Sequence, residues 1–210
     1  MTIRNEPQPT HRTAVIAIDL QSEFIGADAL FPVPDGERLV AEAVPFLSRM
    51  RELGIPVIFT AFAVPDARPL GRSTARFGNP RAHRYPDAAL LPGLDIDERD
   101  IVIEKSRQSA FVGTGLDLLL RRLGADHLVI LGVTTHSCCL ATAIDAAALD
   151  FDVTVLSDLT ACPPVPAKDG LPPMTADEAH TAALQLVAYS SAQVATSADV
   201  LDALRPELAR

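Results

Sequence analysis

Short apolar runs alternate along this chain with stretches in which apolar residues return every three or four positions. Residues 13–19, 56–62, 101–105, 128–133 and 152–157 are β-branched or aliphatic and read as strands, with 193–196 as a short last one. Between them, 37–53 carries Leu39, Val40, Ala43, Val44, Leu47 and Met50 at helical spacing and stops at Gly54. Segments 113–123, 137–149, 176–190 and 198–204 repeat that pattern. Pro45 inside the first of these predicts a kink or a later start. Strands that are apolar throughout belong in a parallel sheet covered on both faces. The pattern therefore predicts an α/β fold: a Rossmann-like, doubly wound parallel sheet of about six strands in a three-layer α/β/α sandwich.

Two stretches break the alternation. Residues 63–100 form a long, Arg- and Pro-bearing connection, the kind that serves as a lid or binding loop. Residues 161–173 hold five prolines, which make a stiff loop. Residues 1–12 are polar and read as a flexible lead without the apolar stretch of a signal peptide, leaving 13–210 as one expected domain.

Charge narrows the partners. A net charge of -9 lacks the basic face that nucleic acid or an anionic membrane requires, and no apolar run reaches spanning length. The three cysteines, Cys138, Cys139 and Cys162, match no zinc spacing and read as free thiols in a reducing cytoplasm. The five histidines show no metal-binding spacing, and no phosphate-binding glycine loop is present.

Chemistry collects at the carboxyl ends of parallel strands. Asp19 ends the first strand, Lys105 the third, and Cys138 lies just past the fourth, where a helix is expected to begin. Unpaired N–H groups and the peptide dipoles at a helix start favour a thiolate. An acid, an ammonium and a thiol at three strand ends point to nucleophilic catalysis.

The motifs Ala17-Ile-Asp-Leu-Gln-Ser-Glu-Phe24, Val102-Ile-Glu-Lys-Ser-Arg-Gln-Ser-Ala-Phe111 and Gly132-Val-Thr-Thr-His-Ser-Cys138 resemble, in order and register, those of the isochorismatase-like cysteine hydrolases, over nearly the whole chain. The amidase-type branch, with its N-carbamoylsarcosine amidase-like members, is the nearest in kind. The resemblance implies a catalytic triad of Asp19, Lys105 and Cys138, a cis peptide at Val133–Thr134, and an oxyanion received by backbone N–H groups of Thr134 and Cys138. It implies hydrolysis of a small amide, ureido or carbamoyl compound through a thioester, no cofactor, and a homo-oligomer, dimer or tetramer. His136 is a candidate substrate hydrogen-bonder, and Phe24, Phe62 and Phe111 are candidate walls of the site. Cys139 and His180 read as structural. Arg68, Arg72, Arg76, Arg81 and Arg84 crowd the long connection, where one could clamp a carboxylate.

Departures from the family matter too. The nicotinamidase branch holds a metal through residues after the second strand, but Thr60-Ala-Phe-Ala-Val-Pro-Asp66 has no His, so no catalytic metal is expected. Members that cleave the vinyl ether of isochorismate have His at the position of His136 but Gly where this chain has Cys138. Ether cleavage with Asp19 as acid, and a silent ligand-binding or interaction homologue, stand as the alternatives.

Overall fold

The computed structural model describes residues 13–64, 69, 71–76 and 78–204. The expected lead at 1–12 and Arg68 lie outside them. Among the described residues, six strands form one sheet: β1 (Thr13–Ile18), β2 (Val57–Phe62), β3 (Ile101–Lys105), β4 (His127–Val133), β5 (Asp152–Ala161) and β6 (Gln193–Ala195). Every pairing is parallel, in the order β3-β2-β1-β4-β5-β6. Order reverses at β1, so the carboxyl ends of β1 and β4 face the crevice where such sheets place ligands.

The helices are α1 (Gly36–Glu52), α2 (Gly71–Ala75), α3 (Leu116–Leu123), α4 (Leu140–Ala148), α5 (Ala176–Ser190) and α6 (Ser197–Leu204). One core joins alternate side chains of the strands (Val15, Ala17, Phe59, Val129, Leu131) to Leu39, Leu47 and Met50 of α1 and Leu204 of α6. A second core sets Ile16, Ile18, Ile58, Leu128 and Ile130 against Leu116 and Leu120 of α3, Ala143 of α4 and Val187 of α5. The period-2 alternation on the strands thus feeds two apolar layers, which is the three-layer sandwich. No described helix is long and apolar enough to cross a membrane.

Three details differ from the sequence pattern. Helix α1 already starts at Gly36, ahead of Pro45, and Pro45 and Ala41, whose carbonyl it leaves unpartnered, are both on the exposed side where water serves. Strand β5 extends to Ala161, with its register against β4 shifting between Ile130 and Gly132. The proline-rich loop is pinned as a narrow hairpin by bridges Val165–Met174 and Lys168–Leu171, and its tip reaches the long connection, where Asp169 lies 3.7 Å from Arg76.

Away from the crevice, Arg51 of α1 grips Asp100 at the start of β3 in a bidentate pair, with nitrogen–oxygen distances of 2.7, 3.0 and 3.1 Å. Both side chains are buried, the geometry in which a charge pair holds two elements in register. At the other end of the sheet's centre, Gly132 of β4 lies opposite Ile18 of β1 with φ +111°. A side chain there would lie 2.1 Å from the Ile18 carbonyl oxygen, so only glycine lets the two strands approach.

Candidate active site

Asp19 follows β1 in the left-handed region, φ 50°, which a short polar side chain tolerates. Its backbone N–H donates to the Thr60 carbonyl at 3.1 Å, and Thr60 Oγ1 donates to its Oδ1 at 2.7 Å. The carboxylate is fully buried and fixed by β2 before any partner is counted.

Lys105, the last residue of β3, reaches across β2 to Asp19. Its Nζ lies 2.6 Å from Asp19 Oδ2, 3.1 Å from the carbonyls of Arg107 and Gln108, and 3.4 Å from Cys138 Sγ. Three ammonium protons face three oxygen acceptors, so the sulfur receives the weakest share. The ammonium also stands 4.5 Å over the Phe62 ring. Burial opposes its charge, but Asp19 and Cys138 outweigh that and hold the Lys105 pKa above its usual value.

Cys138 lies inside a wide turn, Thr135–Cys139, that precedes α4. The Thr134 carbonyl accepts from Cys139 N–H, five residues on, at 3.1 Å, the widened ring of a π-type turn. The regular helix therefore starts at Leu140, not at the thiol as the sequence pattern suggests. The Val133–Thr134 peptide is cis.

Burial works against the thiolate that a helix start favours. Burial pushes Cys138 up to about 12; Lys105 pulls the other way, while Asp19 adds to the rise. With 5% exposure the sulfur is short of water, and desolvation outweighs the nearby ammonium. The balance of these influences lies on the side of the protonated sulfur.

Lys105→Met, which keeps the stem and removes the charge, strands the Asp19 carboxylate in the core. Denaturant unfolding is expected to show a loss of about 3–5 kcal/mol; native stability would mean that Asp19 carries no buried charge.

The other candidates fall in different places. Phe62 lies beneath Lys105, and Phe24 packs in the first core. The Phe111 ring turns to Phe151, 5.9 Å away, on the side of α3 and α4. His136 hydrogen-bonds the Pro163 backbone and lies 3.5 Å from Thr134 Oγ1; burial, the larger influence, lowers its pKa. Its ring thus ties the nucleophile turn to the proline-rich loop. His180 meets Thr135 Oγ1 at 2.9 Å, a structural tie between α5 and the same turn. Cys139 is buried in the core, and Cys162 bonds the Ala176 carbonyl at 3.6 Å. Arg81 is paired with Asp87, and Arg84 donates to the Pro80 carbonyl.

Sequence reading passed over Thr60, Gln21 and Glu23. Gln21 accepts from Phe62 N–H at 2.8 Å and donates back to its carbonyl at 3.2 Å, extending the β1–β2 contact past the strand ends. Gln21 and Glu23 stand two and four residues after Asp19 within the first motif, and that was their signal. Among the described residues, no group of three or more His, Cys, Asp or Glu is disposed to hold a metal ion. A cavity of about 370 Å³ beside the end of β5, lined in part by Arg38, Cys162, Asp177 and His180, does not border Cys138.

The model of the isochorismatase domain matches residues 13–199. The chain belongs to the isochorismatase family. An Arabidopsis thaliana relative of this isochorismatase-family hydrolase, "Probable inactive nicotinamidase At3g16190", is 36% identical over 163 residues, covering 71% of this chain and 80% of its own. The ureidoacrylate amidohydrolase RutB of Pantoea ananatis is 31% identical over 172 residues, 71% of this chain and 69% of its own. A cysteine hydrolase from Pseudomonas syringae pv. phaseolicola 1448A superposes with a TM-score of 0.90 over 98% of both chains, at 24% identity, which speaks for the fold.

Proposed function

We propose that this isochorismatase-family hydrolase is a metal-independent cysteine amidohydrolase that cleaves a C–N bond in a small amide, ureido or carbamoyl compound. The observation that carries this reading is the contact of Lys105 with both Asp19, at 2.6 Å, and Cys138, at 3.4 Å. The amidohydrolase relative from Pantoea ananatis supports the C–N assignment.

In this mechanism the Cys138 proton passes to Asp19 as the sulfur attacks the carbonyl carbon, so the carbon–sulfur bond forms without a free thiolate accumulating. Backbone N–H groups of Thr134 and Cys138 receive the oxyanion, a stabilisation of about 3 kcal/mol per donor. The tetrahedral adduct collapses, the C–N bond breaks, and Asp19 returns its proton to the leaving nitrogen. Water then attacks the thioester, giving its proton to Asp19; the acid leaves, and that proton restores the thiol. Lys105 keeps its charge throughout and offsets the negative charge that moves between carboxylate and sulfur.

A panel of small amides, ureido acids and carbamoyl compounds, assayed for ammonia release with and without a strong chelator, tests the reading. Ammonia release unaffected by the chelator is expected for at least one ureido or carbamoyl member. Chelator-sensitive turnover would overturn metal independence; cleavage of a vinyl ether alone would overturn the C–N assignment.

A further inference from the structure

Next to the three reacting groups lies a second buried polar pair that the mechanism leaves unused. Glu23 is fully buried and His83 is 3% exposed. The two carboxylate oxygens take separate partners: Oε1 accepts the His83 backbone N–H at 2.6 Å and Oε2 meets His83 Nδ1 at 2.7 Å. Burying a carboxylate is costly unless hydrogen bonds compensate it, so a pair kept here marks a position that the fold holds firmly. His83 itself has φ 59°, an uncommon conformation for a non-glycine residue.

The pair sits at the neck of the 63–100 connection. The His83 carbonyl accepts from Val64 N–H at 2.6 Å, joining the outgoing and returning arms. Past His83 the returning arm runs along residues 20–24: Ser22 Oγ donates to the Asp87 carbonyl at 2.9 Å, and Leu91 N–H to the Leu20 carbonyl at 3.0 Å. The His83 ring then stacks on Phe62, centroids 3.7 Å apart and planes 27° from parallel. A stacked ring at that distance fills one face of Phe62, so the Lys105 ammonium, 4.5 Å from the same ring, stands over the other.

We propose that Glu23 and His83 are positioning residues for Lys105: the pair pins the returning arm into the core and holds Phe62 as a fixed floor beneath the ammonium. Lys105 is the group that pulls the Cys138 thiol toward ionisation against burial. A Phe62 ring free to turn lets the ammonium drift, and the sulfur loses that pull. The proposal rests on the amidohydrolase reading only in treating Lys105 as part of the working site.

The test reads Cys138 directly as well as turnover. Alkylation by iodoacetamide at one fixed pH, quantified at Cys138 by peptide mapping, is compared in the native chain, His83→Ala and the double variant Glu23→Gln/His83→Phe. His83→Ala removes the stacked ring; the double variant keeps a ring at position 83 and an oxygen at position 23 able to accept the backbone N–H of residue 83. Expected results are about threefold slower alkylation for His83→Ala, the net effect of one unit in the thiol pKa once the change in nucleophilicity is counted, with kcat reduced and KM held. The double variant recovers the native alkylation rate. An unchanged rate in folded His83→Ala overturns the proposal, and so does a faster one, which would make the pair a seal over the sulfur. If His83→Ala does not fold, the double variant decides: slow alkylation in it overturns the proposal, and a native rate supports it. Absence of turnover in every chain, with the alkylation pattern as expected, would instead overturn the amidohydrolase reading alone.

Discussion

Cys138→Ala is expected to reduce ammonia release to the uncatalysed background while leaving the unfolding midpoint within about 1 kcal/mol of native, since the change removes one sulfur from a site with a single hydrogen-bond donor. The native thiol should also behave unusually. With the pKa pushed up to about 12 by burial, the thiolate at neutral pH is scarcer than in an exposed cysteine by about three orders of magnitude; its greater intrinsic nucleophilicity recovers roughly half of that on a logarithmic scale. Iodoacetamide should therefore label Cys138 some 10–100-fold more slowly than an exposed cysteine, with a rate that climbs past pH 10 without a plateau. The sign for stability follows from the same shift. The native state holds its proton more tightly than the unfolded chain, so this contribution is complete below about pH 8.5 and is lost as pH rises toward 12. Rapid labelling that levels off near pH 7 would show a resting thiolate and remove the need for Asp19 to act as proton acceptor. Turnover surviving in Cys138→Ala would sink the thioester route altogether.

Gly132→Ala should be the most damaging single methyl addition in the sheet. The new carbon would stand 2.1 Å from the Ile18 carbonyl oxygen and 2.7 Å from its nitrogen, and both obstacles are backbone. The positive φ of 111° adds strain that only glycine escapes. Taken together, roughly 3–6 kcal/mol is at stake, a large share of the stability of an ordinary domain. Soluble yield and urea unfolding would measure it. A variant with native stability would mean that β1 and β4 are farther apart than described. Should it fold with its strands displaced, activity is still expected to fail, because Asp19 directly follows Ile18 and Cys138 comes six residues after Gly132.

Much of this was readable in the sequence because the strands are apolar on both sides. Val15 and Ile16 feed opposite layers yet are equally hydrophobic, a pattern that only a covered parallel sheet accommodates. Asp19 and Lys105 stood out because each closes such a run at its carboxyl end, and Cys138 because it lies just past one. What escaped was set by contacts between distant segments. The Glu23–His83 pair spans 60 residues, and nothing local in either segment announces the other. The upward push on the Cys138 pKa was equally hidden: a thiol near a helix start favours the thiolate until the amount of surrounding protein is known, and here burial is the largest influence. Pro45 also allowed a later helix start, which the structure does not show, since the carbonyl it leaves unpartnered is on the exposed side.

The clasp between Arg51 and Asp100 has a reach beyond the elements it joins. Among the described residues, strand β3 is a border strand with a neighbour on one flank only, so its longitudinal alignment depends on β2 and on whatever grips its near end. Asp100 precedes the strand by one residue, and Lys105 closes it five residues later, a run of about 16 Å. A slip at the guanidinium end would be transmitted along that rod and retract the ammonium from its carboxylate. The alignment of the reacting groups is thus governed partly from the far end of the strand, by two residues outside the reacting trio.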